Sequence, residues 1–233
     1  ADKMEGFLEI SVFFGVAISL AAYGIGCWLH KKFRLAIFNP LLVSVILVIL
    51  FLKLTGVSYD LYYEGAKYIS YLLTPATVCL AIPLYEQLAL LKKNYKAIAL
   101  GIASGVIVSL GCVFVMALLF GLNHEEYVTL LPKSITTAIA MGVTEELGGY
   151  VTLTVAVVIV TGILGNMIGS FVFRIFRIRE PIAKGVALGT SAHAVGTARA
   201  MELGDVEGAI SGLSIAVAGL MTVVGASVFA QFL

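Results

Sequence analysis

The chain alternates long apolar runs with short polar punctuation. A bilayer core about 30 Å thick needs roughly 20 apolar residues in a helix, with every backbone polar group bonded inside it. Four runs meet that test: Phe7 to Leu29, Ala97 to Leu122, Tyr150 to Phe173 and Ala209 to Phe232. Leu35 to Leu52 is a shorter fifth. A sixth, Ile69 to Leu84, carries Pro75 and Pro83, so its helix is expected to kink or break. The first run lacks the basic start and small-residue cleavage site of a signal peptide and is expected to be a retained helix.

Two further segments, Leu130 to Gly149 and Ile182 to Leu203, are apolar but studded with Gly, Ser, Thr, Lys, Arg and His. Irregular backbone is tolerated at membrane depth only where it is buried in protein or lines a wet cavity. These segments are therefore expected to be discontinuous or re-entrant, the usual construction of a transporter site. The pattern predicts an all-α polytopic membrane protein in one membrane domain, with about six transmembrane helices and two broken segments. A kinked early segment followed by broken later ones is the arrangement inverted repeats give, although no residue-level repeat accompanies it.

Composition fits this. Of 233 residues, 60% are hydrophobic and 12% charged, with a mean hydropathy of +1.03, whereas soluble domains carry about 25% charged residues. Net charge is +1. The cations sit in short clusters, which excludes a nucleic-acid face. These clusters, His30-Lys31-Lys32-Phe33-Arg34, Lys92-Lys93-Asn94-Tyr95-Lys96 and Arg174-Ile175-Phe176-Arg177-Ile178-Arg179, occupy alternate connections and are expected to be cytoplasmic. The C-terminus is then outside if both polar segments are re-entrant. Cys27, Cys79 and Cys112 are isolated in apolar runs and read as reduced hydrophobes, and no metal, nucleotide or haem motif is present.

The first chemical constellation is Leu131-Pro132-Lys133-Ser134-Ile135-Thr136-Thr137. Pro at a first helical turn, with Ser and Thr beside it, predicts a helix starting at membrane depth. Its free amides, its dipole, the hydroxyls of Ser134, Thr136 and Thr137, and the Lys133 ammonium would make a carboxylate receptor. The alternative is that Lys133 snorkels to the surface while the hydroxyls bond within the helix.

The second is Gly189-Thr190-Ser191-Ala192-His193-Ala194-Val195-Gly196-Thr197-Ala198-Arg199. Ser191, His193, Thr197 and Arg199 are candidates because burying such groups in a membrane is costly. Against that, Arg199 can pair with Glu202 three residues on, and His193 can bond a neighbouring helix. Ser191 and His193 stand two apart, so on an unbroken helix they cannot act as nucleophile and base. The chain is expected to be a non-enzyme without cofactor. The spacings Gly101-x-x-x-Gly105, Gly165-x-x-x-Gly169 and Gly208-x-x-x-Gly212 read as close helix packing. Glu145 and Glu146 read as a wetted turn, with ion coupling as the alternative. Asn39-Pro40 reads as a cap and N1 proline, with a site role for Asn39 as the alternative.

These blocks, with Phe38-Asn39-Pro40-Leu41-Leu42 and Leu73-Thr74-Pro75-Ala76-Thr77-Val78 before them, resemble the LrgB/CidB family of antiholin-like membrane proteins from about residue 35 onward. Two departures stand out: Ala138 and Tyr150 occupy positions where the family often has proline. The resemblance implies control of murein hydrolase activity and cell lysis beside a smaller LrgA/CidA-like protein. It also implies carriage of pyruvate-like or glycolate-like monocarboxylates, as in the plastidial members. The residues favour the carrier, since a lysis regulator has no evident use for buried cations in broken helices. The expectation is a bacterial cytoplasmic membrane carrier of a small organic anion, in a homodimer. Lys133, Ser134, Thr136 and Thr137 would contact the anion on one side, and Ser191, His193, Thr197 and Arg199 on the other. A pore would instead leak solutes without saturation.

Overall fold

The computed structural model describes residues 13–33, 38–72, 75, 79 and 81–233. The described elements are helical, without strands, in two compact units, Ala1–Cys79 and Leu80–Leu233.

The first unit contains α1 (Phe14–Phe33), α2 (Pro40–Thr55) and α3 (Tyr59–Ser70). Asn39 caps α2 by accepting from the amides of Leu41 and Leu42 at 3.0 and 3.2 Å, and Pro40 takes the first turn, where its missing N–H costs nothing. Gly56, at φ 71°, ends the helix. Backbones approach closely: a Cβ on Gly15 would lie 2.3 Å from the Tyr62 carbonyl, and one on Gly26 would lie 2.7 Å from that of Pro40. Lipid is as apolar as leucine, so small residues that bring backbones into contact do what hydrophobic burial does in water. Of the apolar runs, residues 7–12 and 35–37, and residues 73, 74, 76–78 and 80 within Ile69 to Leu84, lie outside the described residues.

The second unit contains α4 (Ala81–Glu86), α5 (Leu88–Phe120), α6 (His124–Leu130), α7 (Thr137–Glu146), α8 (Val151–Ile175), α9 (Pro181–Leu203) and α10 (Asp205–Phe229). Among the described residues, three helical stretches are long and apolar enough to cross a membrane: Leu88–Phe120, Val151–Ile175 and Asp205–Phe232. The third is α10 with its terminal 3₁₀ turn, Ala230–Phe232. The α5 helix bends at Asn94, whose side-chain amide donates to the Leu90 carbonyl at 2.9 Å, so the Lys92–Lys96 cluster flanks the bend. Beyond it, Ile98, Ile102, Val106, Leu110, Val113 and Ala117 form one buried stripe. Leu100, Ile107, Val108, Val115 and Leu119 stay exposed on the other side. A helix apolar all round, buried on one stripe, is built for lipid on the rest. The stripe packs on Ile210, Ala218 and Ala226 of α10, and Leu110 lies 2.7 Å from where a Gly225 Cβ would stand.

Both polar segments are interrupted. The first differs from expectation in where its helix starts: Leu131–Thr136 is non-helical, Thr136 is the N-cap, and α7 begins at Thr137 rather than at Pro132. Pro132 sits inside the turn, and its carbonyl accepts the Ile135 amide at 3.3 Å. At the far end, Gly148 (φ 78°) supplies a left-handed turn. Gly149 is wedged with its would-be Cβ 2.8 Å from the Thr129 hydroxyl.

Tyr150, where the family often has proline, uses the N–H a proline lacks, donating to Thr129 Oγ1 at 2.7 Å. Its hydroxyl donates to Glu125. Tyr150→Pro removes both bonds and is therefore expected to lower stability by about 1–2 kcal/mol, roughly 1 kcal/mol for the amide and less for the exposed hydroxyl. Thermal denaturation in detergent checks this.

The second interruption falls inside α9, at Ala192 (φ −137°, ψ 20°) and His193 (φ 41°, ψ −137°). In a straight helix residues 188 and 196 would be separated by about 12 Å of rise, yet a Cβ on Gly196 would lie 2.4 Å from the Leu188 carbonyl. The chain therefore doubles back. The arm before the break runs alongside α10, with Gly185 against Glu207 and Gly189 against Ser211. The arm after it runs the opposite way, with Thr197 on Ser211 at 2.7 Å and Met201 against Gly208. The α9 segment is a helical hairpin packed on α10.

Candidate functional site

The tip of the hairpin is held by His193. Its Nε2–H donates to the Val158 carbonyl at 2.9 Å, which fixes the tautomer because a carbonyl only accepts. Gly162 makes the approach possible, since a Cβ there would stand 2.6 Å from the imidazole. A histidine at positive φ stores about 1–3 kcal/mol of backbone strain, and such strain persists only where the surroundings over-determine it. Val158 packs with Ile135 and Ala140 of the first interrupted segment. The two interruptions thus meet on one turn near the middle of α8.

Beside this junction lies a cavity of about 960 Å³, lined by Gly105, Ser109, Lys133, Ser134, Thr190 and Ser191 among others. Along α5 its lining runs from Asn94 to Cys112, about 27 Å of helix. One end lies by Asn94 and Glu180, next to the basic connections; the other holds Lys133. The Lys133 ammonium donates to Ser134 Oγ at 2.9 Å and to Ser109 Oγ at 3.2 Å, and the two hydroxyls lie 3.1 Å apart. The ion pairs among the described residues are Lys67–Glu64, Lys184–Glu207 and Arg199–Glu202, so Lys133 has no carboxylate partner there. Thr190 Oγ1 is buried without a hydrogen-bond partner among the described residues.

The other sequence candidates fall elsewhere. Ser191 lines the cavity, but its hydroxyl donates to the Ala187 carbonyl. Thr197 is buried inside the hairpin, bonded to the His193 carbonyl at 3.2 Å and to Ser211. His193 and Ser191, despite the break between them, turn to different partners. Thr136 and Thr137 are half-buried at the start of α7 and do not line the cavity. Arg199 also lies outside it: the guanidinium pairs with Glu202 and donates to Ser170 on α8 at 2.9 Å. Asn39 is the α2 cap, in the first unit.

Sequence reasoning missed Ser109, Thr161 and Thr190 as cavity residues. A signal for the first was available, because Gly101, Gly105 and Ser109 follow one another at intervals of four. Such a small-residue stripe reads equally as packing. Here it does both, since Gly101 meets Val186, Gly105 meets the Thr190 methyl, and the remaining space is cavity wall.

Long apolar helices, together with two interrupted segments beside one cavity and no strand among the described residues, define a helical protein of the membrane class. The chain belongs to the LrgB-like family, whose model matches residues 19–232. It is 40% identical over 222 residues to a Bacillus cereus protein named antiholin-like protein LrgB, covering 95% of this chain and 96% of that one. A Bacillus anthracis protein of the same name matches at the same identity and coverage. No solved structure matches significantly.

Proposed function

We propose that this protein is a carrier that moves a small organic anion, a monocarboxylate of pyruvate or glycolate size, across the bacterial cytoplasmic membrane. The observation that carries this reading is Lys133: an ammonium with hydroxyl neighbours and no carboxylate among the described residues, at the inner end of a large cavity. A cation at membrane depth without a counter-ion is costly, and a transient anion offsets that cost. Ser109 and Ser134 orient the ammonium, and Thr190 lines the same wall with its hydroxyl buried behind it.

In this reading the α6–α7 segment enters from the outside and the α9 hairpin from the cytoplasm, and their tips meet at Val158 as inverted repeats would. With the Lys92–Lys96 and Arg174–Arg179 clusters on the cytoplasmic side, the Asn94 end of the cavity faces the cytoplasm. Transport proceeds by alternating access of the segments that bear the site. A homodimer and an LrgA/CidA-like small membrane protein are the partners proposed.

Cys112 lines the cavity near its inner end. In a variant with Cys27→Ser and Cys79→Ser, a charged thiol reagent applied from the cytoplasmic face is expected to label Cys112. Labelling is expected to slow at least about threefold in saturating pyruvate or glycolate. Equal labelling with and without either acid counts against an anion in this cavity.

The relatives' name, antiholin-like protein LrgB, favours a second reading: an antiholin-like regulator without a carrier cycle, acting on murein hydrolase activity and lysis as the family resemblance implies. Saturable uptake of labelled pyruvate or glycolate by proteoliposomes, lost in Lys133→Ala, supports the carrier. A Lys133→Ala protein that corrects a lysis phenotype fully, with no uptake by the parent protein, supports the regulator.

A further inference from the structure

At the basic end of α8 the helix closes in a Schellman turn. The Ile178 amide donates to the Phe173 carbonyl at 2.8 Å, the Arg177 amide donates to that of Arg174 at 3.3 Å, and the Ile178 and Phe173 side chains pack together. The left-handed position of this turn normally belongs to glycine. Here it is Arg177, at φ 55°. Alongside lies a second concavity of about 330 Å³, walled by Arg174, Arg177, Arg179, Lys184 and Ser170. The Ser170 hydroxyl also accepts from Arg199, which is not itself part of the wall.

Two of the carboxylates nearby are already engaged, and Glu180, beside Arg179, lines the carrier cavity instead. Glu207 is buried against Lys184 at 3.6 Å, and Glu202 pairs with Arg199. Arg174, Arg177 and Arg179 have no carboxylate partner among the described residues. Membrane orientation requires only that cations lie in this connection. It does not require that they wall a concavity, or that one of them occupy a backbone position glycine fills without strain.

We infer that this concavity is a phosphate-binding site at the cytoplasmic edge of the membrane, separate from the carrier cavity and independent of the carrier reading. Guanidinium groups pair with phosphate oxygens in a bidentate fork, and basic pockets between helices at this level suit anionic headgroups. The phosphate comes either from an anionic phospholipid, as a phosphodiester, or from a soluble phosphate.

The test uses the full-length protein, purified and delipidated, with binding followed by native mass spectrometry and thermal shift. The probes are short-chain phosphatidylglycerol, short-chain phosphatidylcholine and inorganic phosphate. Phosphatidylglycerol is expected to bind at least about tenfold more tightly than phosphatidylcholine, which has the same phosphodiester but adds a choline cation that the guanidinium groups repel. Inorganic phosphate competing at the same site identifies a soluble ligand as well, and its failure to compete identifies the lipid headgroup. Arg177→Gly is the decisive variant, because it removes the cation while giving the turn the residue its backbone prefers. It is expected to bind phosphatidylglycerol about tenfold more weakly while melting no lower than the parent when unliganded. Arg177→Lys is expected to retain part of the affinity. Binding unchanged in Arg177→Gly and in an Arg174→Gln, Arg179→Gln double variant overturns the site, as does equal binding of the two lipids with no effect of phosphate.

Discussion

Replacing Lys133 by alanine is expected to reduce saturable uptake of labelled pyruvate or glycolate by about a hundredfold or more. The magnitude follows from removing charge-assisted hydrogen bonds of about 3 kcal/mol from a weakly hydrated site, with about 1.4 kcal/mol for each factor of ten. Folding is expected to survive. The Ser109 and Ser134 hydroxyls stand 3.1 Å apart and satisfy each other once the ammonium is gone, so no buried polar atom is orphaned. Lys133→Met, which keeps the chain length without the charge, separates loss of cation from loss of packing and is expected to behave as the alanine variant does. Uptake at parental levels by both variants, with equal protein in the membrane, removes Lys133 from the proposed site.

Gly196→Val is expected to give the largest loss of stability. Its Cβ would fall 2.4 Å from the Leu188 carbonyl oxygen and 2.8 Å from the Ala192 Cβ. Those atoms belong to the facing arm and the tip of the same hairpin, so the clash is relieved only by opening the reversal. Overpacking of this kind costs about 3 kcal/mol, and the hairpin also carries the His193 contact to α8. Gly142→Ala is the control. It lies inside α7 with no atom within 4 Å of its would-be Cβ, so the substitution is expected to gain about 0.5–1 kcal/mol from reduced backbone freedom in the unfolded chain. Thermal unfolding in detergent, with circular dichroism of the folded state, reads both changes.

Local rules misplaced the start of α7. Pro132 followed by Ser134 has the form of a helix N-terminus, but Lys133 and Ser134 are drawn across to Ser109 on α5. A contact with a residue 24 positions away in sequence outweighs a weak local preference. The sharp break at His193 had no breaker to announce it. No proline or glycine stands there, and the Gly-type backbone is forced on a histidine by the Val158 carbonyl and the space left at Gly162. Arg199 shows the converse. The Glu202 pairing three residues on was legible, whereas the Ser170 contact, which turns the guanidinium away from the carrier cavity, was not.

The sequence by itself determined that this is an all-helical chain of lipid-facing composition, and which segments are too polar to be plain spans. Those properties follow from counts and spacings, since apolar length and the cost of unbonded backbone act on each segment separately. It also identified Lys133 as a cation needing an explanation. Only the tertiary structure decided which polar groups share a wall. Lys133, Ser109 and Thr190 meet around one cavity, while Thr197, His193 and Arg199 are spent on holding the hairpin. The reason is that membrane burial requires every polar group to find a partner but does not specify which one. Chain reversal at residues 192–193 and close approach at glycines made that choice.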